Sequence, residues 1–488
     1  MEINNLDSKK SDYRILNSSQ ATGFSRDLDI CRTHLNNSNI NSSDNKEEIV
    51  QNDSNNLENA FNSVSASLTL TGMINLVQVT SKIRKIDDDF ITSSCIFDFL
   101  INIINGDDDG LKKEAKKMIF YLCAKSENGR KMFLNLDPAS FLISLTESEA
   151  KEDVKIGVLL IRELSYLQDG VFYLLKSGIF KITIGKIHYI IENDKTFANL
   201  NEILQYLFMS IQKFKKKDLE EIANDIYETI ILVLSNENVS CKTIELILKI
   251  LILMIKKHDY NAVIQSGCFV LAMKIFNNQE LFIELQNCLV LLVSEMLYSS
   301  SEEDIDCVLN YIPINFLIDL FDSFDPQKLN FLHLITFFAN FVTLSEKNVS
   351  ILTTDERLDK LFSYLVCSDK QEFKIQQIVV WCLWNMLRYG SVEDTIKILS
   401  HEYIEDFIDS TFDSDDIDFI RSVLIPSLLI LIPKLTNTMS ELPDVITNSI
   451  QERLVDLCYK EDSPEIESLA ASCLKRIFPE RYENEGFC

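Results

Sequence analysis

From Leu68 onward, apolar residues recur at three- and four-residue spacing, as at Ile244, Ile247, Leu248, Leu251 and Ile255. That period predicts helices with one buried face. Long, strongly apolar helices are predicted to begin near Gly110, Lys151, Thr196, Val239, Glu280, Pro326, Gln371, Asp416 and Pro464. The intervals between these starts are 41, 45, 43, 41, 46, 45, 45 and 48 residues. Such regularity reads as one supersecondary unit repeated with little identity between copies. The segment before each long helix also recurs, as a short helix, a break and a medium helix. VFYLLKSGIFKITIGKI (171–187) and YNAVIQSGCFVLAMKIF (260–276) both place Ser-Gly at the break, at 177–178 and 266–267. Glycine suits that corner because it lacks a Cβ and takes positive φ freely. Other units fill the corner with Asp137-Pro138, Ile312-Pro313, Thr354-Asp355 and Ser400-His401.

No such unit can bury its apolar face alone, so each must stack on its neighbours and the end units must cap the array. Met73–Lys85 and Pro464–Phe478 are the expected caps. Pro426 and Pro433 fall inside the eighth long helix and should kink or divide it, because proline removes a backbone hydrogen bond. The body is therefore assigned to residues 67–480, followed by a short tail, 481–488. Residues 1–66 differ: they are rich in Asn, Ser and Asp and poor in large apolar residues. A disordered polar arm is expected there, with one transient helix around Phe24–Leu35.

Composition narrows the function classes. Twelve glycines and eight prolines in 488 residues are too few for the many turns of an all-β fold. The net charge of −27 leaves no basic surface for nucleic acid. It favours basic partners, or simply keeps a large protein in solution. The arm carries six basic and ten acidic residues, net −4. The twelve cysteines include no C-x-x-C pair, and most sit in apolar helical stretches, such as Cys123, Cys288 and Cys382. Buried reduced thiols of this kind point to the cytoplasm or nucleus. The opening MEINNLDSKKSDYR has no apolar leader, and the most apolar stretch, Ile244–Ile255, is short and broken by Glu245 and Lys249. No membrane partner is expected. Five scattered histidines (34, 188, 258, 333 and 401) form no H-E-x-x-H, and there is no P-loop, G-x-G-x-x-G or G-x-S-x-G. The expectation is a protein with no catalytic residues, no metal and no cofactor. The acidic clusters Asp87–Asp89, Asp107–Asp109, Glu302–Asp304 and Asp413–Asp418 fall mostly at helix junctions, where carboxylates favour helix N-termini. Lys112–Lys117 and Lys215–Lys217 read as solvated faces.

Three helices per unit, at a period in the low-to-mid forties, resemble armadillo repeats rather than two-helix HEAT repeats. The segment VVWCLWNMLRYGS (379–391) resembles the third-helix signature of armadillo repeats of the importin alpha type, with Trp381 and Asn385 four residues apart. FFANFV (337–342) places Asn340 at the same Asn position and Thr336 at the Trp position. The QSGCF and KSGIF corners look like that family's junction between first and second helices. The resemblance implies an all-α, right-handed armadillo (ARM) repeat solenoid of about nine to ten three-helix units.

The resemblance also implies an adaptor for nuclear import. Its concave groove would hold an extended basic peptide, with indoles sandwiching Lys/Arg stems and Asn amides bonding the peptide backbone. The chemistry is sound: residues at i and i+4 share a helical face, indole faces attract cations, and an amide both donates and accepts. Gln377 and Arg388 extend the stripe 377, 381, 385, 388, whereas Trp384 reads as packing. Importin beta is a further implied partner through the arm, although the arm lacks a dense Arg/Lys run. The aligned positions in the second, third and fifth long helices hold Ile161/Ser165, Tyr206/Ser210 and Val290/Ser294. Two alternatives stay open: a general armadillo scaffold, or a regulatory or chaperone-cofactor protein with no role in nuclear transport. Likewise, Asn340 and Asn385 either contact a ligand or tie one unit to the next.

Overall fold

A computed structural model describes residues 46–193, 200–236, 238–276, 283–300, 304–323, 331–366, 373–412, 417–439, 441–459 and 464–479. The Phe24–Leu35 helix, most of the arm and the tail 481–488 lie outside the described residues. Among the described residues every regular element is a helix, and the nine long helices called for by the spacing are all present. They are α1 (Asp109–Lys125), α2 (Lys151–Ser165), α3 (Leu200–Lys213), α4 (Cys241–Lys257), α5 (Ile283–Ser299), α6 (Phe331–Phe341), α7 (Phe373–Tyr389), α8 (Ile425–Thr436) and α9 (Pro464–Ile477). The starts expected at Thr196, Glu280, Pro326, Gln371 and Asp416 fall just outside the described residues. Before most long helices stand a short and a medium helix, as with Gln168–Lys176 and Ile179–Asn193 before α3.

The body falls into two compact units, one within Thr22–Leu271 and the other within Ala272–Cys488. In the first, Leu70–Lys82 packs on α1, α1 on α2, α2 on α3 and α3 on α4. In the second, α5 packs on α6, α6 on α7, α7 on α8 and α8 on α9. Each long helix thus finds its apolar partner one repeat away in sequence. Helix α4 shows why: Ile247, Leu248 and Ile250 through Ile255 are all buried, and each such side chain contributes roughly 1.5–3 kcal/mol on leaving water. Its N-terminus is closed by Ser240, whose side chain accepts from Thr243 N. Asp108 does the same for α1, accepting from Leu111 N.

Four of the corners between short and medium helices are left-handed, two of them at the glycines, whereas those at Ile312-Pro313, Thr354-Asp355 and Ser400-His401 are not. Gly178 has φ +74° and Gly267 has φ +80°. Two non-glycine corners adopt the same conformation: Asp137 at φ +50° and Cys95 at φ +52°. Aspartate tolerates it, as a short polar side chain does. Tyr173 of the following unit donates from its hydroxyl to Asp137 Oδ1 and accepts from Ala139 N, which holds that corner in place. At Pro426 the eighth long segment changes hydrogen-bond register instead of breaking. Ile417–Phe419 is α-helical, Ile420–Leu424 is a π-helical turn, and α8 follows with Pro433 inside it. The wider turn lies where the proline lacks an N–H and its ring would crowd the carbonyl four residues back.

A second device joins the repeats. The last carbonyls of a helix have no partners within it, and here a polar side chain from further along the chain supplies them. Lys125 Nζ donates to the carbonyls of Thr80 (2.9 Å), Ser81 (2.7 Å) and Ile83 at the end of Leu70–Lys82. Arg130 donates to Cys123 O (2.8 Å) at the end of α1, and Lys213 to Ser165 O (2.6 Å) at the end of α2. Lys257 closes α3 through the carbonyls of Ile211, Gln212 and Phe214. Lys434 closes α7 through Leu387 O (2.8 Å) and Gly390 O (2.9 Å). A cation at that end also meets the negative pole of the helix dipole. Burial pushes the Lys257 amine below its ordinary value and Lys434 down to about 8, with Glu346 and Asp394 pulling Lys434 back up.

The arm expectation needs correction at its C-terminal end. Residues 46–66 form a helix, Lys46–Ala66, packed on Leu70–Lys82. Leu57, Ala60, Phe61 and Val64 are buried, and Phe61 meets Phe90 and Phe99 edge-on. Those residues sit at helical spacing, so one apolar stripe suffices although the rest of the helix is polar. This helix, and not Met73–Lys85, caps the front.

Two glycines of one unit should respond oppositely to alanine. Gly178→Ala places a Cβ in open space but at positive φ, and should cost about 1 kcal/mol. Gly185→Ala, inside the helix Ile179–Asn193 and also in open space, should stabilise by about 0.5–1 kcal/mol. Urea unfolding of both variants checks the pair; a destabilised Gly185→Ala would contradict the assigned helix.

Candidate peptide-binding site

The stripe singled out in the sequence lies on α7, with Asn340 in the last turn of α6 beside it. The structure divides these residues by depth. Gln377 is exposed and Trp381 half-buried, whereas Asn385 and Asn340 are each 1% exposed and Arg388 is 8% exposed. The Asn385 amide donates to Ala339 O at 2.9 Å, so it closes the end of α6 as the lysines close other long helices. Arg388 follows Asn385 by three residues, as Lys213 follows Ser210, and its guanidinium lies over the Tyr389 ring at 5.0 Å. Trp381 stacks on Phe419, with ring centroids 5.9 Å apart at 26°. Trp384 is fully buried, donates from Nε1 to Thr411 Oγ1 at 3.0 Å and packs on Phe407. It anchors the medium helix Ile404–Phe412 to α7.

The aligned positions elsewhere are buried too: Ile161, Ser165, Tyr206, Ser210, Val290, Ser294 and Thr336 are all at most 4% exposed. They lie among side chains packed between long helices. The solvent-facing part of the α7 stripe is thus Gln377 and the open edge of Trp381. Spacing alone placed four residues on one face; the neighbouring helices decide which of them meet water.

Charge is divided unevenly along the chain. Residues 46–271 carry 26 Lys+Arg against 31 Asp+Glu, net −5, whereas residues 272–488 carry 16 against 37, net −21. In the first unit the basic patch Lys112–Lys117 is largely engaged. Lys113 meets Glu152 at 2.6 Å, Lys116 meets Asp153 at 2.8 Å, and Lys117 reaches both Glu114 and Glu152. Arg162 pairs with Glu202 one helix further on. These cations link adjacent long helices, whereas Lys215–Lys217 remain exposed.

The unit that holds Trp381 also has a shallow cleft of about 270 Å³, lined by Asp355, Leu358, Asp359, Lys397, Ser400, His401 and Glu402. His401 lies flat on Phe362, with centroids 4.0 Å apart and rings 9° from parallel, and its Nε2 meets Asp359 Oδ1 at 3.0 Å. Neither this cleft nor Phe419 follows from the helix signature. The available signal was the run of carboxylates in the medium helices after residue 354. Among the described residues no group of His, Cys, Asp and Glu is arranged to hold a metal, and no helix is long and apolar enough to cross a membrane.

No family model matches the chain, and no curated protein matches it. Among solved structures it resembles an engineered protein whose crystal structure came from the Northeast Structural Genomics Consortium. The two are 13% identical with a TM-score of 0.67, over 86% of this chain and 98% of that one. At that identity the likeness is one of fold alone.

The two amides of the stripe should separate in a stability measurement. Asn385→Ala leaves the Ala339 carbonyl buried without its donor and should lower the unfolding free energy by about 1–3 kcal/mol. Gln377→Ala, at an exposed position, should change it by less than about 0.5 kcal/mol. Equal, small effects in guanidinium titrations would mean that Asn385 does not tie α7 to α6.

Proposed function

We propose that this protein is an armadillo-type solenoid that binds a basic polypeptide segment of another protein and, in its sharper form, a divergent importin alpha-like receptor for basic nuclear import signals. The observation that carries the reading is the net charge of −21 on residues 272–488, the half that also holds Trp381 and Gln377. A field of that size concentrates cationic segments near the surface and speeds their encounter. The armadillo assignment is supported by the order of short, medium and long helices and by left-handed corners at 95, 137, 178 and 267. Trp381 offers the edge of an indole for the stem of a lysine or arginine, and Gln377 offers an amide for a peptide backbone.

The burial of Asn340 and Asn385 favours a second reading. With those amides placed between helices, the chain would act as a general armadillo scaffold or as a regulatory or chaperone-cofactor protein with no role in nuclear transport.

Calorimetric titration separates the two. Lys-rich import-signal peptides should bind better than neutral peptides of equal length, and binding should weaken as salt rises from about 50 to about 300 mM. Trp381→Ala should cost roughly 0.5–2 kcal/mol of that binding. Equal binding of neutral peptides would remove the receptor reading and leave the scaffold.

A further inference from the structure

Three helices of the second unit lie side by side: Asp355–Val366, Ile404–Phe412 and the run formed by Ile446–Ile450 and Gln451–Leu457. Polar pairs cross between their neighbouring faces. His401 meets Asp359, Ser449 donates to Glu405 at 2.8 Å, and Arg453 pairs with Asp409. The same elements and their ends present Asp355, Glu356, Glu402, Asp406, Glu452 and Asp456, all exposed. Among the described residues no cation forms an ion pair with any of the six. The cations at hand are committed elsewhere. Arg357 holds Asp322 at 2.6 Å, Lys360 donates to the carbonyls of Phe321 and Asp322, and Lys397 reaches Glu393 at 3.3 Å.

Like charges gathered on adjacent helices repel one another, whereas in the first unit Glu152 and Asp153 of the long helix α2 are matched by Lys113 and Lys116 of α1. Here no such match is present among the described residues. Two exposed tyrosines, Tyr403 and Tyr459, stand at the ends of these elements, and aromatic faces attract lysine and arginine. The 270 Å³ cleft opens among the same residues. Its carboxylates are Asp355, Asp359 and Glu402; Leu358, Ser400 and the His401 ring line it between them, and the one cation in its lining, Lys397, is paired with Glu393. That combination suits a long side chain with an apolar stem and a cationic head.

We propose that this face docks a lysine- or arginine-rich segment of a partner protein, one of whose cationic side chains enters the cleft between Asp355–Val366 and the Ser400–His401 corner. The inference rests on the reading of the protein as a receptor for basic segments, and it moves the main contact from the α7 stripe to the medium helices.

The test uses the full chain and a synthetic peptide of alternating lysine and glycine, read by fluorescence anisotropy at low salt. One variant combines Glu356→Lys, Glu402→Lys and Asp406→Lys. A control combines Asp107→Lys, Glu147→Lys and Glu149→Lys, three exposed acids of the first unit, with the same change in net charge. The face variant should weaken binding by about tenfold or more and the control by less than about threefold. A neutral version, Glu356→Gln with Glu402→Gln and Asp406→Asn, should fall between them and guards against misfolding of the reversed one. Equal losses in both lysine variants would reduce the effect to bulk charge and overturn the proposal, as would binding blind to the face variant. If the wild type fails to prefer this peptide over a glycine–serine peptide, the receptor reading itself falls; if the preference survives but follows Trp381→Ala alone, only the docking face does.

Discussion

The structure depends on one constraint: a unit of some forty residues made of three helices has no interior of its own. Its long helix is apolar over too wide an arc for its short and medium companions to cover. Helix α4 buries almost every residue from Ile247 to Ile255, and much of that surface is closed by α3. Within each compact unit, each long helix is in turn the partner of the next. Cohesion within each compact unit is therefore a sum of neighbour interfaces, and the sequence can drift widely so long as the faces stay apolar.

Apolar stacking alone is non-directional and does not fix how far one helix slides along the next. The polar ties supply that register. Lys213, Lys257 and Lys434 each place an ammonium on the last carbonyls of a long helix in another repeat, and Lys125 does so at the end of Leu70–Lys82. Asn385 does the same with an amide at the end of α6. The carbonyls left over at a helix end must find a partner somewhere, and taking it from another repeat couples two otherwise separate elements. The charge partition follows from similar economy. The first unit pairs Glu152, Asp153 and Glu202 with cations across its long helices, whereas the second leaves carboxylates of its medium helices unmatched among the described residues.

The period, the long helices and the Ser-Gly corners were legible in the sequence because each rests on local chemistry: apolar spacing for the helices, glycine for positive φ. The helix Lys46–Ala66 was hidden by its composition, since Leu57, Phe61 and Val64 are few among Asn and Ser and only their spacing betrays them. Cys95 could not be read as a left-handed corner, because nothing in a cysteine announces it. At the candidate site the spacing of Gln377, Trp381, Asn385 and Arg388 correctly implies a shared helical face. It carries no information on where α6 covers that face, so the burial of Asn385 emerges only from packing. The acidic character of residues 272–488 was present in the sequence but vanished when charge was averaged over the whole body.

The account's central claim is that residues 272–488 receive a cationic segment from another protein. Hydrogen–deuterium exchange of the full chain, with and without a saturating Lys-rich peptide, tests it most directly because amides of every helix report at once. The account predicts slowed exchange in the segments 355–366, 401–412 and 446–457, with residues 109–213 unchanged. Protection confined to residues 109–213, or none at a peptide concentration that saturates binding, would contradict it.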